Sequence, residues 1–230
     1  IAENLTLKGA ETTLYRLETH LEGVVIGKVV EVKPISERLN LYTIDMGGGY
    51  FPKVVSGDKT LRVGDKVVYA PPSSKVGDKV IEKKEFNGII SEGMLLSPEE
   101  LLLESGSDGV LRIEEDAPLG KSPYELLGFG EYVLELDITP NRGDLLSIRG
   151  VAREVCAIFG RELKKVENIK EFEDFGDLDI EILDAGCKRY RGVLIEGVSV
   201  RTSPLWVRRR LWQCGVRSIN NIVDITNYVM

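Results

Sequence analysis

Side chains that could act as nucleophiles, bases or metal ligands are few and scattered in this sequence. His20 is the single histidine, and the three cysteines, Cys156, Cys187 and Cys214, show no CxxC spacing. A zinc site needs three or four clustered ligands, and a catalytic cysteine needs a base beside it. Both kinds of site are therefore disfavoured. Three cysteines cannot pair completely, which favours reduced thiols and a cytoplasmic protein.

Aromatic residues close to a lysine suggest a different chemistry, the binding of single-stranded nucleic acid. Such a site stacks bases on exposed aromatic rings and holds phosphates with basic side chains. Our candidates on the surface of a predicted β-barrel are Tyr42, Tyr50, Phe51 and Lys53. The alternative is that these residues are ordinary members of a barrel and bind nothing.

Charge is distributed unevenly along the 230 residues, whose formal net charge is −7. Residues 188–230 contain eight basic and two acidic side chains, so this segment has a net charge of +6 and the remainder has −13. An acidic chain is unsuited to indiscriminate DNA binding, but its basic segment permits a local phosphate contact. Arg208 and Arg209 are the candidates for that contact, and the alternative is a solvated helix face.

The hydrophobic pattern predicts a globular chain of several modules. Hydrophobic residues make up 43% and charged residues 29% of the sequence, and no apolar run approaches the ~20 residues that cross a bilayer. Residues 1–22 predict a short helix and a strand. Residues 23–120 contain short strands separated by Gly, Asp and Pro, which is typical of a small closed barrel. A further strand is predicted over 133–138 and an amphipathic helix over 148–158.

The pattern changes again after residue 160. Residues 165–177 are acidic and irregular, which indicates a linker. Alternating hydrophobic residues then predict two strands, over 177–186 and 190–200.

Two helices are predicted near the C-terminal end of the sequence. Ser203 before Pro204 is typical of a helix N-cap, and Ser218 is placed to cap a second helix. In the first of these helices we expect Cys214 to face inward and the arginines at 208–210 to lie on the outer side.

Three segments resemble the beta subunit of bacterial phenylalanine–tRNA ligases, and they occur in that family's order. Residues 134–160, with the motif TPNRGD, resemble its Thr-Pro-Asn-Arg-x-Asp strand–turn–helix, and residues 203–230 resemble its B3/B4 region. Between 23 and 120, the sequences KVVSGDKTLRVGDKV, SEGMLLSPEEL and DAPLG resemble its inserted OB-fold tRNA-binding module. The loop at 33–39 departs from the family because it is shorter and lacks a His-Pro pair.

The resemblance implies an α+β chain of several modules. An OB-type β-barrel over 23–120 would be inserted in a small α+β module formed by 1–22 and 121–176. The start of a mixed α/β editing domain would follow over 177–230. The chain would then be an N-terminal fragment of a longer subunit.

The resemblance also implies a function. The family charges the tRNA for phenylalanine in an ATP-dependent reaction of an α2β2 enzyme, so the implied partners are the alpha subunit and that tRNA. ATP and Mg²⁺ are implied for the whole enzyme through the alpha subunit, and no cofactor or metal is expected on this fragment, which alone should be inactive.

The B3/B4 region implies hydrolytic editing of tyrosine misattached to the phenylalanine tRNA. A pocket built for phenylalanine cannot strongly reject a side chain that merely adds a hydroxyl, so a second site is needed. Thr226 and Asn227 are implied as one corner of that second site. The alternative function is a free-standing tRNA-binding or interaction module without catalysis.

Overall fold

The computed structural model describes residues 1–104, 106, 109–113, 116–165 and 179–230. The chain divides into two compact units. One unit contains Ile138–Arg201 together with Ile1, and the other contains Ala2–Asp137 and Thr202–Met230.

Short strands make up most of the larger unit. A first helix, α1 (Ala2–Leu7), precedes them. The strands are β1 (Glu11–Arg16), β2 (Leu21–Glu22), β3 (Val25–Pro34), β4 (Asn40–Asp45), β5 (Lys53–Ser56), β6 (Lys66–Ala70), β7 (Lys75–Val76), β8 (Lys79–Val80), β9 (Lys84–Phe86), β10 (Ile89–Ser91), β11 (Met94–Leu95), β12 (Arg112–Ile113) and β13 (Tyr132–Asp137).

Six of these strands form a nearly closed antiparallel barrel, as the sequence pattern predicts. The strand order is β11–β6–β3–β4–β5, and β12 also pairs with β6. The gap between β5 and the β10–β11 segment is bridged by two hydrogen bonds. The Glu92 N–H donates to the Lys53 carbonyl at 2.8 Å, and the Val55 N–H donates to the Ser91 hydroxyl at 3.0 Å.

Strand β6 is buried on both faces because it separates two hydrophobic cores. Its Val67 and Tyr69 point into the barrel, where they meet side chains such as Tyr42. Val68 and Ala70 point outward into a second core. Successive side chains of a strand face opposite sides, so this uninterrupted apolar strand can serve two cores at once.

Strand β1 pairs antiparallel with β13 and joins residues from the two ends of the predicted discontinuous module. In the smaller unit, a 3₁₀ turn (Gly143–Leu146) leads into α2 (Ile148–Phe159). The Ser147 hydroxyl caps α2 by accepting from the Gly150 N–H at 3.0 Å, and Gly160 ends the helix in the left-handed conformation, with φ 62°.

The two strands predicted after residue 177 do not form. Residues 179–201 contain no helix or strand, and side chains such as Leu183 (86% exposed) and Ile195 (70%) lie in solvent. A strand requires a hydrogen-bonded neighbour to satisfy its backbone, and no described residue pairs with this segment as a strand. Most of the predicted linker, and Leu178, fall outside the described residues.

Two C-terminal helices, α3 (Leu205–Gln213) and α4 (Asn221–Val229), form as predicted, but their caps differ from the prediction. Pro204 occupies the N-cap position of α3 and supplies no side-chain hydrogen bond. The cap of α4 is Asn220, whose carboxamide oxygen accepts from the N–H groups of Ile222 and Val223. Neither Ser203 nor Ser218 is a cap, because both hydroxyls bind a buried carboxylate instead.

No helix among the described residues is both long enough and apolar enough to cross a membrane.

Candidate nucleic-acid interface

The loop between β4 and β5 presents two aromatic rings to solvent. Gly47 and Gly49 adopt positive φ angles of 79° and 77°, which glycine tolerates and which turn the chain sharply here. Tyr50 and Phe51 follow and are 54% and 48% exposed. Lys53 then begins β5 with its side chain exposed. The sequence prediction that these three side chains lie on the barrel surface is therefore correct.

Glu92 connects this loop to the strand region across the barrel gap. Its carboxylate accepts a hydrogen bond from the Tyr50 hydroxyl at 3.0 Å and one from the Lys53 N–H at 3.3 Å. The Lys83 ammonium lies 3.1 Å from the same carboxylate. We call this group of five residues, Tyr50, Phe51, Lys53, Lys83 and Glu92, the aromatic–lysine surface.

The charges on the aromatic–lysine surface leave one lysine available. The hydrogen bond from Lys83 lowers the pKa of Glu92, so this carboxylate is ionised and balances Lys83. The hydrogen bond to Glu92 raises the pKa of Tyr50, which keeps the phenol protonated. Among the described residues, Lys53 has no ion-pair partner within 4.0 Å. Its charge helps to lower the pKa of Glu31, but the exposed ammonium is in no ion pair with a described residue and can contact an anion beside two exposed rings.

Tyr42 does not belong to this surface, and the prediction that it is exposed is wrong. Its ring is fully buried in the barrel core, because residues 40, 42 and 44 of β4 all point inward. The phenol accepts a hydrogen bond from the Asn40 amide at 3.1 Å and donates to the Asp58 carbonyl. Burial raises the pKa of Tyr42. A ring with no accessible face cannot stack on a base.

Arg208 also departs from its expected position on the outer side of α3. It is 6% exposed, and its guanidinium donates to the Arg112 carbonyl at 3.1 Å and lies over the Trp212 ring. The side chain of Arg209 is 24% exposed and lies 3.7 Å from the Glu131 carboxylate. Cys214, expected to face inward, is exposed. The described contacts of Arg208 and Arg209 are with Arg112, Trp212 and Glu131, and none is with the aromatic–lysine surface.

The two residues implied for editing lie in the last turns of α4. Thr226 is exposed, and its hydroxyl donates back to the Ile222 carbonyl at 3.2 Å. Asn227 is half-buried, and its carboxamide makes no hydrogen bond with a described residue. An amide in this state can donate to or accept from an incoming group.

A buried carboxylate holds α4 in place. Asp224 is fully buried and accepts hydrogen bonds from the hydroxyls of Ser203 and Ser218 and from the Ile219 N–H, the last at 2.7 Å. Burial alone would raise the pKa of Asp224, but these hydrogen bonds outweigh it and hold the pKa below its usual value. The carboxylate therefore joins Ser203, two positions before α3, to the turn before α4.

A groove with a volume of about 740 Å³ lies between the barrel edge and the β8–β9 segment. It contains Lys79, Lys84 and Phe86, but also the carboxylates of Asp58 and Glu100. Its mixed charge lacks the positive excess that a phosphate backbone requires. The described residues contain no cluster of three or more His, Cys, Asp or Glu side chains that could hold a metal ion.

Sequence reasoning missed Glu92, Lys83 and Asp224. Lys83 lies 30 positions and Glu92 lies 39 positions after Lys53 in the sequence. Only the closure of the barrel brings Glu92 beside Lys53. The sequence signal for Asp224 was a single acidic residue between Val and Ile in a predicted helix. Ser203 and Ser218, which bind it, were instead predicted to cap helices.

Comparisons with known proteins agree with this architecture. Residues 24–122, which include the barrel, match the family model of a tRNA binding domain, and residues 186–230 match that of a B3/4 domain. Phenylalanine–tRNA ligase beta subunits align with the whole chain: that of Aquifex aeolicus is 52% identical over 232 residues and that of Thermotoga maritima 44% identical over 236 residues. Over its whole length, the chain is thus similar to phenylalanine–tRNA ligase beta subunits.

These similar subunits are considerably longer than the chain. The alignments cover 100% of this sequence and 30% of the Aquifex and Thermotoga subunits, and the same shares hold for the 39%-identical subunit of Carboxydothermus hydrogenoformans. The chain therefore corresponds to about a third of such a subunit. The resemblance stated from the sequence and the predicted fold class are both confirmed.

Proposed function

We propose that this chain binds the tRNA for phenylalanine through the aromatic–lysine surface, as part of a phenylalanine–tRNA ligase. The observation that carries the proposal is the match of residues 24–122 to a tRNA binding domain. This range contains the barrel and all five residues of the surface. The alpha subunit is the proposed partner, and ATP and Mg²⁺ are proposed to bind elsewhere in the enzyme.

The proposed contact combines stacking with one phosphate interaction. Tyr50 and Phe51 offer ring faces to unpaired bases, and stacking of one base on an aromatic residue contributes ~1–3 kcal/mol. Lys53 supplies the cation, since Lys83 is already balanced by Glu92. Tyr50 is held in place by its hydrogen bond to Glu92, so less side-chain entropy is lost when a base stacks on it.

The experiment is a salt titration of tRNA binding to the chain and its Lys53→Glu variant. Loss of one phosphate contact should raise Kd and flatten the slope of log K against log salt concentration by ~0.7–0.9. Lys164→Glu is the matched control, because it makes the same charge change at an exposed lysine of the other compact unit. Equal effects of the two variants would contradict the proposed interface.

We further propose that α4 forms one corner of a site that hydrolyses tyrosine misattached to this tRNA. The match of residues 186–230 to a B3/4 domain supports the assignment. Asn227 is suited to orient the ester or the attacking water, because its amide makes no hydrogen bond with a described residue. The Thr226 hydroxyl already donates to a carbonyl but can still accept a hydrogen bond.

This second proposal is tested with Asn227→Ala in the complete enzyme. Loss of one positioning hydrogen bond costs ~1–3 kcal/mol, which corresponds to roughly a ten- to hundred-fold slower hydrolysis of tyrosyl-tRNA. Charging with phenylalanine should be unchanged and serves as the internal control. Hydrolysis at the wild-type rate would instead favour a tRNA-binding module in which α4 has no catalytic role.

A further inference from the structure

Helix α3 packs in the second hydrophobic core, which lies outside the barrel. Leu205 is 1% exposed and Trp212 is 8% exposed, and both pack in the second hydrophobic core with Val68 of the barrel strand β6. The Trp212 indole N–H donates to the Glu104 carboxylate at 2.8 Å. At the end of the helix, the Gln213 amide donates to the Glu131 carboxylate at 2.7 Å.

Helix α4 is fixed in turn to α3. The buried Asp224 carboxylate accepts from Ser203, which precedes α3, and from Ser218, which precedes α4. The rings of Trp206 on α3 and Tyr228 on α4 meet edge to face with centroids 5.5 Å apart. Contacts therefore run without a break from the barrel through α3 to the turn of α4 that carries Asn227.

The division into compact units separates this helix pair from the chain that precedes it. Residues 202–230 belong to the barrel unit, whereas residues 186–201 belong to the other unit. The B3/4 match at 186–230 extends across that boundary. The part of the B3/4 match that contains Asn227 is thus packed with the tRNA-binding barrel.

We propose that Trp212 is a positioning residue for hydrolysis, which acts by fixing α4 relative to the barrel. The inference rests on the proposed function, since it takes tRNA to bind the barrel and its aminoacyl end to reach Asn227. The barrel and α4 belong to one compact unit. A tRNA that is bound to the barrel would therefore hold its aminoacyl ester at a fixed position relative to Asn227. A misplacement of about 1 Å at a reacting group costs up to ~10²-fold in rate, so loosening α3 should slow hydrolysis without weakening tRNA binding.

The test compares four variants in the complete enzyme. Trp212→Phe keeps a buried aromatic ring but removes the N–H donor, and Glu104→Leu removes its acceptor. Glu104→Gln is the conservative rescue, since a carboxamide oxygen still accepts from the indole. Tyr132→Phe is the matched control, because it also removes the donor of an aromatic side chain, at a residue of β13 that is 66% exposed and belongs to neither α3 nor α4. Hydrolysis of tyrosyl-tRNA, its KM, and phenylalanine charging are measured below the thermal midpoint of each variant.

We expect Trp212→Phe and Glu104→Leu to lower kcat for hydrolysis ~10-fold, with KM and charging unchanged. Glu104→Gln and Tyr132→Phe should stay within about twofold of the wild type. A stable Trp212→Phe enzyme with unchanged kcat would overturn the positioning role, as would a parallel loss of charging and hydrolysis. If the wild-type enzyme binds tRNA but hydrolyses no tyrosyl-tRNA, the proposed editing function fails and this inference fails with it.

Discussion

The Ser203 hydroxyl donates a hydrogen bond to the fully buried carboxylate of Asp224, 21 positions further along the chain. Ser218 and the Ile219 N–H donate to the same carboxylate. One side chain thereby satisfies three donors from two different segments. This carboxylate joins α3 to α4, and the two serines that the sequence predicted as helix caps bind it instead.

We expect Asp224→Asn to lower the free energy of unfolding by ~2–3 kcal/mol, because hydrogen bonds to a charged group are the stronger ones and the new amide cannot accept from all three donors. Urea unfolding of the chain measures this change. Asp78→Asn, at an exposed position, is the control and should cost less than about 0.5 kcal/mol. Similar values for the two variants would show that the carboxylate does not hold the helices together.

Acid should weaken the chain partly through Asp224. Its pKa is lower in the folded chain than the value of about 3.9 in an unfolded one. The stability that it provides is therefore complete well above pH 4 and is lost as the pH falls through the folded pKa. Unfolding free energies measured between pH 6 and pH 3 should fall less steeply in Asp224→Asn than in the wild type. Identical pH profiles would assign the acid sensitivity to other groups.

Tyr42→Phe should destabilise the barrel without changing tRNA affinity. Removal of the phenol leaves the Asn40 amide and the Asp58 carbonyl without their buried partner, which costs ~1–3 kcal/mol. Tyr50→Phe is the paired variant, since its phenol bonds to Glu92 at the surface and its loss should change stability little. Thermal unfolding and tRNA binding are measured on both. A Tyr42→Phe protein that is stable but binds tRNA poorly would restore the sequence prediction that Tyr42 contacts RNA.

Leu205→Ala should destabilise the barrel although Leu205 lies in a helix 92 positions after the last barrel strand. A truncated core leucine costs ~2–5 kcal/mol, and this one contributes to the core that strand β6 shares. Hydrogen exchange of the β6 amides should accelerate in this variant. Leu146→Ala, at a side chain that is 73% exposed, should leave them unchanged. Unaltered exchange in Leu205→Ala would show that α3 and the barrel are stabilised separately.

The barrel was predictable because its strands alternate and its turns contain glycine and aspartate. The alternation shows which residues of a strand share a face. It does not show which of the two faces points into the barrel. Tyr42 illustrates the difficulty: it lies in the same short stretch as Tyr50 and Phe51, yet β4 turns it into the core. Tyrosine suits either environment when its hydroxyl finds a partner, so residue type alone does not distinguish them.

The parts that could not be predicted depend on contacts between distant segments. Glu92 reaches Tyr50 across 42 positions, and Trp212 reaches Glu104 across 108. The alternating hydrophobic residues over 179–200 illustrate the opposite error, since the pattern was present but no described strand pairs with it. The charge of Arg208 predicts a solvent-exposed position. Its guanidinium is buried instead and donates a hydrogen bond to the carbonyl of Arg112 in β12.

The measurement that tests the account most directly is photo-crosslinking of the phenylalanine tRNA to the chain, with the linked residues located by mass spectrometry. Stacked aromatic residues lie close enough to bases to crosslink, so we predict adducts at Tyr50 and Phe51 and none at the buried Tyr42. Lys53→Glu should reduce their yield, and Lys164→Glu should not. Adducts confined to other parts of the chain, with Tyr50 and Phe51 unlabelled, would contradict tRNA binding at the aromatic–lysine surface.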